Sequence, residues 1–344
     1  MEEDLNIRKK AELTLGGSIM LPKGFAFPYR ISKSTAGPGA GSASAVFSFG
    51  RHRVKKSISY ESGEFELAEE NGRLSMKKNG MPFLDEVRIE PVVFHCPEQA
   101  FFNLDQRCIF NCAFCVSPLL SKDLDKGLSD EDIVRMTKNA ISDGQKVVSV
   151  SLTSGVFGSV DETVRRFVSC VSGLRKEFLE LPIGVEPYAS EKEHVKALKE
   201  AGATEIKLNI QSPSRAIFNK ICPELDRDNI LEMLLYAVDI FGPGKVTSNM
   251  IFGMGETDKE IEDMTEFLCS KGVIPTFRAL RTNTMNQDNL ALAIGRQPQV
   301  SADRAIKLAK MQKEKLIAHG LDTRECRTMC IECACCDLVP FRDL

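Results

Sequence analysis

The chain has 344 residues, enough for one large domain or one large and one small. It is 43% hydrophobic and 27% charged, and 45 Lys and Arg nearly balance 48 Asp and Glu, which leaves a net charge of −3. That balance argues against a bulk nucleic-acid partner, and no run of about 18 apolar residues marks a membrane span. Met1-Glu-Glu-Asp-Leu lacks the apolar core of a secretion signal, so a cytoplasmic protein is expected. Twelve cysteines are then too many to ignore. In a reducing compartment they are not expected as disulfides, and where they cluster they read as metal ligands.

In chain order, residues 1–98 begin with a short helix over Ile7–Leu15. Alternating runs follow, such as Ala45-Val-Phe-Ser-Phe, Ser57-Ile-Ser-Tyr and Val87-Arg-Ile-Glu, punctuated by Gly, Pro and Ser. This predicts a small β-rich N-terminal domain. The glycine-rich segment Thr35–Ser42 lacks the lysine of a phosphate-binding loop and reads as a flexible connection. The basic run Arg51-His-Arg-Val-Lys-Lys56 reads as a solvated strand face.

From residue 99 to residue 323, strand and helix alternate. Apolar strands begin near Phe101, Lys146, Ile183, Glu205, Lys245 and Ile274. Ser129 with Asp132, Ser159 with Glu162, Ser190 with Glu193, and Thr257 with Glu260 have capping-box spacing, and Gly144 and Gly202 stand where helices should stop. The alternation predicts an α/β core with a parallel sheet and right-handed crossovers. Six such units fit a partial (βα)6 TIM-like barrel, whose site would gather at the C-terminal ends of the strands.

Just after the first of those strands comes Cys108-Ile-Phe-Asn-Cys112-Ala-Phe114-Cys115. The C-x3-C-x2-C spacing lets three thiolates converge, and no fourth cysteine is close in sequence. A structural zinc site wants four protein ligands. A [4Fe–4S] cluster on three cysteines keeps one iron open. A zinc site or an inert cysteine cluster is the other reading. The motif, with Phe114 before the last cysteine, resembles the signature of the radical S-adenosylmethionine (radical SAM) superfamily. The resemblance spans roughly residues 95–325. It implies that SAM binds the open iron and that one electron cleaves a C–S bond. The 5′-deoxyadenosyl radical so formed removes a hydrogen atom from substrate.

The resemblance also assigns expectations to the strand ends. Thr153-Ser154-Gly155 stands where the family carries a Gly-Gly-Glu-like turn that contacts SAM, here without the glutamate. Glu186 closes the third strand, with a carboxylate suited to a ribose or an ammonium. Asn209 and Gln211 resemble the Asn-Leu-Glu/Asp segment of biotin and lipoyl synthases, with Gln211 in place of the acid. Ser248 precedes Gly253-Met-Gly255-Glu256-Thr257, which matches the Gly-x-Gly-Glu-Thr of the same two synthases. Capping of the next helix is the alternative for Glu256 and Thr257. Arg278 and Arg281 suit the carboxylates of SAM or substrate, unless they are surface residues. Cys170, Cys222 and Cys269 read as buried structural thiols. Cys96 is left outside the ligand set, and His194 and His319 read as surface residues.

Residues 324–344 form a cysteine-rich tail with Cys326, Cys330, Cys333, Cys335 and Cys336. An auxiliary iron–sulfur cluster, zinc and a redox thiol pair are the candidates. The expected ligands are Cys330, Cys333, Cys335 and Cys336. Because adjacent Cys335 and Cys336 point apart, Cys326 is a substitute. A biotin-synthase-like core plus an auxiliary cluster resembles lipoyl synthases, in particular the archaeal two-component type, which insert sulfur at an unactivated C–H. That resemblance implies a small-molecule or carrier-protein-bound acyl substrate. It also implies ferredoxin or flavodoxin as electron donor, and a second radical SAM subunit. The remaining readings are methylation, rearrangement or peptide or cofactor maturation, with the second cluster anchoring substrate or carrying electrons. A non-catalytic metal-binding subunit is the reading from another class.

Overall fold

The computed structural model describes residues 2–33, 42–119 and 127–344. The glycine-rich segment 35–42 falls outside them except for Ser42. The chain opens with α1 (Glu2–Leu15), longer than the helix expected from the sequence, followed by β1 (Ile19–Met20), β2 (Ser32–Lys33), β3 (Ala43–Phe49), β4 (His52–Ser59), β5 (Phe65–Glu70), β6 (Arg73–Lys78) and β7 (Met81–Glu90). Among the described residues these strands pair in the order β2-β3-β4-β1-β5-β6-β7, and a further β3–β7 pairing closes six of them into a ring. Leu13, Ile19, Phe47, Val54, Phe65 and Met76 fill its core.

The second unit follows as β8 (Gln99–Asn103), α2 (Asp130–Ser142), β9 (Ser149–Thr153), α3 (Val160–Glu177), β10 (Ile183–Glu186), α4 (Lys192–Glu200), β11 (Glu205–Lys207), α5 (Arg215–Ile221), α6 (Arg227–Phe241), β12 (Val246–Phe252), α7 (Asp258–Ser270) and β13 (Val273–Ala279). Then come α8 (Gln287–Ile294), α9 (Ala302–Ala318) and the short α10 (Met329–Cys333). Strands β8 to β13 pair side by side in sequential order, every pair parallel. Ser129 and Thr257 form complete capping boxes. Ser159 accepts from the Glu162 amide. Ser190 does not cap α4, whose first turn is entered from Glu191 without a side-chain cap. No helix among the described residues is long and apolar enough to cross a membrane.

A strand sends alternate side chains to opposite faces. Ala100, Phe102, Val150, Leu152, Val185, Ile206 and Val246 point to the helices and make the main apolar core. The other face is polar. One row across it, fixed by register, is Phe101–Ser151–Gly184–Glu205. The next holds Asn103, Thr153 and Glu186, with Lys207 on β11 beside them. A parallel sheet usually has two apolar faces, so something polar has to cover this one.

The tail covers it. The Met329 amide donates to Ser151 Oγ at 2.9 Å, and Gln99 Nε2 donates to the Met329 carbonyl at 2.9 Å. The Glu205 carboxylate accepts from the Arg327 amide at 2.9 and 3.2 Å and from the Thr328 hydroxyl at 2.6 Å. Much of the cysteine-rich tail from Cys326 onward is therefore packed into the interior. The basic run Arg51–Lys56 holds them from the other side. The Lys55 amide donates to the Cys335 carbonyl at 2.8 Å, and the Arg51 guanidinium to the Asp343 carbonyl at 3.2 Å. His52 and Lys10 lie 3.1 and 2.6 Å from the Asp343 carboxylate. The expected solvated strand face is thus corrected: His52 and Lys55 are buried under the tail, and Lys56 is buried with its ammonium on the Gly16 carbonyl.

Gly184 makes this packing possible, since a Cβ there would lie 2.2 Å from Thr328 Oγ1. Gly184→Ala is expected to destabilise the protein by about 1–3 kcal/mol, the usual cost of overpacking. It should also open the tail to limited proteolysis. A melting temperature and a digestion pattern equal to wild type would contradict the packing.

Candidate functional site

The loop carrying Cys108, Cys112 and Cys115 follows β8 and is zipped to the loop after β9. The Leu104 amide donates to the Thr153 carbonyl at 2.8 Å, Gly155 to Asp105 at 2.7 Å and Ile109 to Val156 at 2.7 Å. Gly155 has no room for a side chain, because a Cβ would stand 2.1 Å from the Arg107 carbonyl oxygen and 3.3 Å from Cys108 Cβ. Beyond it, the Val156 amide donates to Cys108 Sγ at 3.4 Å. Thr153-Ser154-Gly155 thus lies against the cysteine loop. The other flank is pinned by three contacts that sequence reasoning missed. The Ala113 amide donates to the Ile221 carbonyl at 2.8 Å. Glu224 accepts from the Asn111 amide and side chain at 2.6 and 3.1 Å. Asn286, fully buried, donates to the Phe114 carbonyl at 2.9 Å.

The three thiols sit close enough to feel one another. Burial pushes the Cys108 thiol up, and Cys115 and Cys112 add to the shift. Burial likewise raises Cys115, with Cys112 contributing. A hydrogen bond with the Cys222 thiol, and then burial, raises Cys112 well above its ordinary value. Cys222 is therefore a neighbour of the motif as well as a buried thiol. Thiols that resist ionisation alone are deprotonated by a coordinated metal. A loop of three neighbouring thiols with an N–H···S donor and a glycine cradle suits an iron–sulfur cluster, which is larger than a single ion.

At the other strand ends, Glu186 accepts from Asn209 Nδ2 at 2.7 Å and lies 3.1 Å from Lys207 Nζ. Burial opposes its ionisation, but Lys207, Asn209 and Arg278 outweigh it and hold the carboxyl below its ordinary range. The network continues from Asn209 Oδ1 to the Asn249 amide at 3.1 Å, and from Asn249 Oδ1 to the Thr276 hydroxyl at 2.9 Å. Gln211 has a φ of 61°, rare for a non-glycine residue, and its backbone bridges to β12. Ser248 is fully buried and accepts from the Ile210 amide at 3.0 Å.

Gly253 and Gly255 are left-handed, at φ 96° and 100°. The turn they make is closed from inside. The Glu256 carboxylate accepts from the Gly253 and Met254 amides at 2.7 and 2.8 Å and meets Arg304 at 2.9 Å. Its hydrogen-bonding capacity goes to its own loop, and Thr257 caps α7. The two arginines part company. Arg281 donates to the Thr14 carbonyl at the end of α1, 3.2 Å away. Arg278 turns to the polar face and reaches Cys330 Sγ at 2.6 Å and Asp337 at 3.3 Å.

The tail thiols form a second group. Cys333 is hydrogen-bonded to the thiols of Cys96 and Cys335. Cys96, Cys333 and Cys335 share one buried cluster with Val46, Phe101 and Met329, and Cys336 packs against it. Cys326 is elsewhere: its thiol donates to the Gly244 carbonyl at 3.3 Å and packs with Cys269 and Ile274. The substitute suggested by the sequence is therefore corrected, because the chain between Cys326 and Cys330 is stretched across Glu205. Among the described residues no three His, Cys, Asp or Glu side chains converge on one ion-sized point, so the thiols form a neighbourhood and not a preformed single-ion shell. His194 is also corrected. It is buried and lies 3.2 Å from Asp161, with its other ring nitrogen facing the Ser190 amide. Cys170 is fully buried in the apolar core.

Residues 103–268 match the family model of the Radical SAM superfamily. This stretch is a radical SAM domain. Over 186 residues the chain is 25% identical to the lipoyl synthase of Buchnera aphidicola subsp. Schizaphis graminum (strain Sg), a match that covers 53% of this chain and 56% of that protein. The chain thus spans little more than half the length of this relative. Two solved structures resemble the domain in fold. The FeFe-hydrogenase maturase HydG from Carboxydothermus hydrogenoformans has a TM-score of 0.53 at 17% identity, covering 64% of this chain and 52% of that one. Methylornithine synthase (PylB) has a TM-score of 0.52 at 15% identity, covering 65% and 68%.

In the radical SAM domain Gly155 is the tightest constraint on the cysteine loop. Gly155→Ala should lower reconstituted iron by about four atoms per chain, one [4Fe–4S] equivalent, while far-ultraviolet circular dichroism stays at wild-type levels. Full iron loading in this variant would contradict the assignment.

Proposed function

We propose that the protein is a radical SAM enzyme built on a partial (βα)6 barrel, and that it inserts sulfur at an unactivated C–H with the tail thiols holding a second iron–sulfur centre. One observation carries this reading. Arg278, near the end of the sixth strand, donates to Cys330 Sγ, so the tail thiols border the same polar face as Glu186, Lys207 and Asn209. A substrate on that face would adjoin both thiol groups. The likeness to a lipoyl synthase supports the choice among radical SAM chemistries.

Cys108, Cys112 and Cys115 would hold the first cluster, which with SAM bound supplies a 5′-deoxyadenosyl radical. The residues around it prepare the site. Glu186 and Asn209 offer an ionised acceptor and an amide to the amino group or ribose of SAM, and Gln211 stands one strand-turn away. Lys207 and Arg278 place two cations where a carboxylate would sit. The tail lies across the polar face and keeps water from a reactive radical. An acyl group on a carrier protein is the proposed substrate, ferredoxin or flavodoxin the electron donor, and a second radical SAM subunit the proposed partner.

Anaerobic incubation with SAM, dithionite and an acylated lipoyl-carrier domain tests this. Wild type should form 5′-deoxyadenosine and a sulfur-bearing carrier. Replacing Cys108, Cys112 and Cys115 by Ala should abolish both products. Cys330→Ala with Cys333→Ala should keep 5′-deoxyadenosine, lose the sulfur product and lower iron from about eight to about four atoms per chain. Sulfur insertion that survives in the tail variant would contradict the proposal that the second centre supplies the sulfur.

A further inference from the structure

Cys96 sits between β7 and β8, on the linker that joins the two units. It is buried, at 2% exposure. The Val93 amide donates to its carbonyl at 3.1 Å, and it forms an isolated bridge with Gln99. Those contacts turn its thiol to the tail, 230 and more residues later in the chain, where it meets the thiol of Cys333. Cys330 also acts on it.

The surroundings are those of an anionic sulfur site. Lys55, buried, is surrounded by Cys336, Cys96, Cys333 and Cys335. Its ammonium is held in place by the His95 carbonyl at 2.6 Å and His95 Nδ1 at 3.0 Å. His95 in turn stacks on Phe101 with ring centroids 4.9 Å apart. On the far side Arg278 meets Cys330 and feels Cys336. Two fixed cations thus flank one group of thiols. Arg278 is already paired with Asp337 at 3.3 Å, whereas among the described residues Lys55 has only neutral acceptors and burial works against its charge; metal-bound thiolates beside it would supply the anionic partner. Cys335 also meets the Cys333 thiol, but its own S–H is given to the Cys333 carbonyl at 3.0 Å, so it is the member of the group already engaged by backbone.

We propose that Cys96 is a ligand of the second metal centre, completing a set with Cys330, Cys333 and Cys336 for an iron–sulfur cluster. This rests on the reading that the tail holds such a cluster. It adds that the centre is shared between the inter-unit linker and the tail. Assembly of the centre therefore locks the tail over the polar face.

The test is iron and sulfide per chain after anaerobic reconstitution of the full chain in Cys96→Ser, Cys96→Val, Cys326→Ser and the Cys330→Ser/Cys333→Ser double variant. Cys96→Val keeps an apolar side chain of similar size in the pocket. A metal-free melting temperature near that of metal-free wild type marks an intact fold. Both Cys96 variants should lose about four irons, as the double variant does, and Cys326→Ser should lose none. If the double variant loses iron and the Cys96 variants do not, Cys96 is not a ligand and the tail centre stands. If the double variant also keeps its iron, the tail centre itself is wrong. An equal loss in Cys326→Ser overturns the proposal, since any buried thiol there would then matter. A wild-type measurement covers the case in which the Cys96 variants do not fold. At a denaturant concentration that opens the tail and leaves the apolar core folded, Cys96 should react with iodoacetamide in wild type stripped by ferricyanide and chelator and stay protected in the reconstituted protein, while Cys170 is unreactive in both. Equal reactivity of Cys96 before and after stripping would overturn the assignment.

Discussion

The structure turns on a buried carboxylate, Glu205. It stands on the polar face of the central sheet with 4% of its surface exposed. A charge in such a place is costly unless it is paired and hydrogen-bonded. Lys245, 3.4 Å away, provides part of the compensation. The rest comes from the Arg327 amide and the Thr328 hydroxyl. Glu205 therefore requires the tail to be docked, and Gly184 beside it leaves the space. Breaking one partner of such a group costs far more than a surface ion pair would.

Docking has consequences at both ends of the tail. Its last residues bring Asp343 to Lys10 on α1 and His52 on β4. Burial disfavours the Asp343 carboxylate, but those two partners outweigh it and hold the group below its usual range. This ties the N-terminal ring of strands to the radical SAM domain through the tail. The middle of the tail brings Cys330 to Arg278, at the strand end that faces the Glu186–Lys207–Asn209 network. The fold thereby places a second set of thiols next to the face where the first set would act. Both sets lie on backbone that is heavily hydrogen-bonded, as a site held to sub-ångström geometry requires.

Much of this was legible in the residues. The C-x3-C-x2-C spacing located the first thiol group, and strand–helix alternation with capping signals located the parallel sheet. The polar face was also written in the sequence, in Ser149-Val-Ser-Leu-Thr153 and Glu205-Ile-Lys-Leu-Asn209, where polar and apolar residues alternate with period two. The eye goes to the apolar half and reads a buried strand. What stayed hidden depends on contacts distant in sequence. His52 and Lys55 read as solvated because nothing local shows the tail lying on them. Cys96 lacks a motif, and Cys326 lies nearer the other tail cysteines in sequence; only the path of the tail across Glu205 carries Cys326 away from them and brings Cys333 to Cys96. Glu256 illustrates a further limit. The same residue opens a helix in any strand–turn–helix unit, and only its bonds to Gly253, Met254 and Arg304 show where its charge is used.

The central claim is that residues 326–339 lie inside the molecule against the polar face of the sheet. Native-state hydrogen exchange of the full chain, read by mass spectrometry on peptides across this segment, tests it directly. The Arg327 and Met329 amides, bonded to Glu205 and Ser151, are expected to exchange as slowly as those of β10 and β12. Exchange within seconds, at the rate of a free chain terminus, would contradict the account.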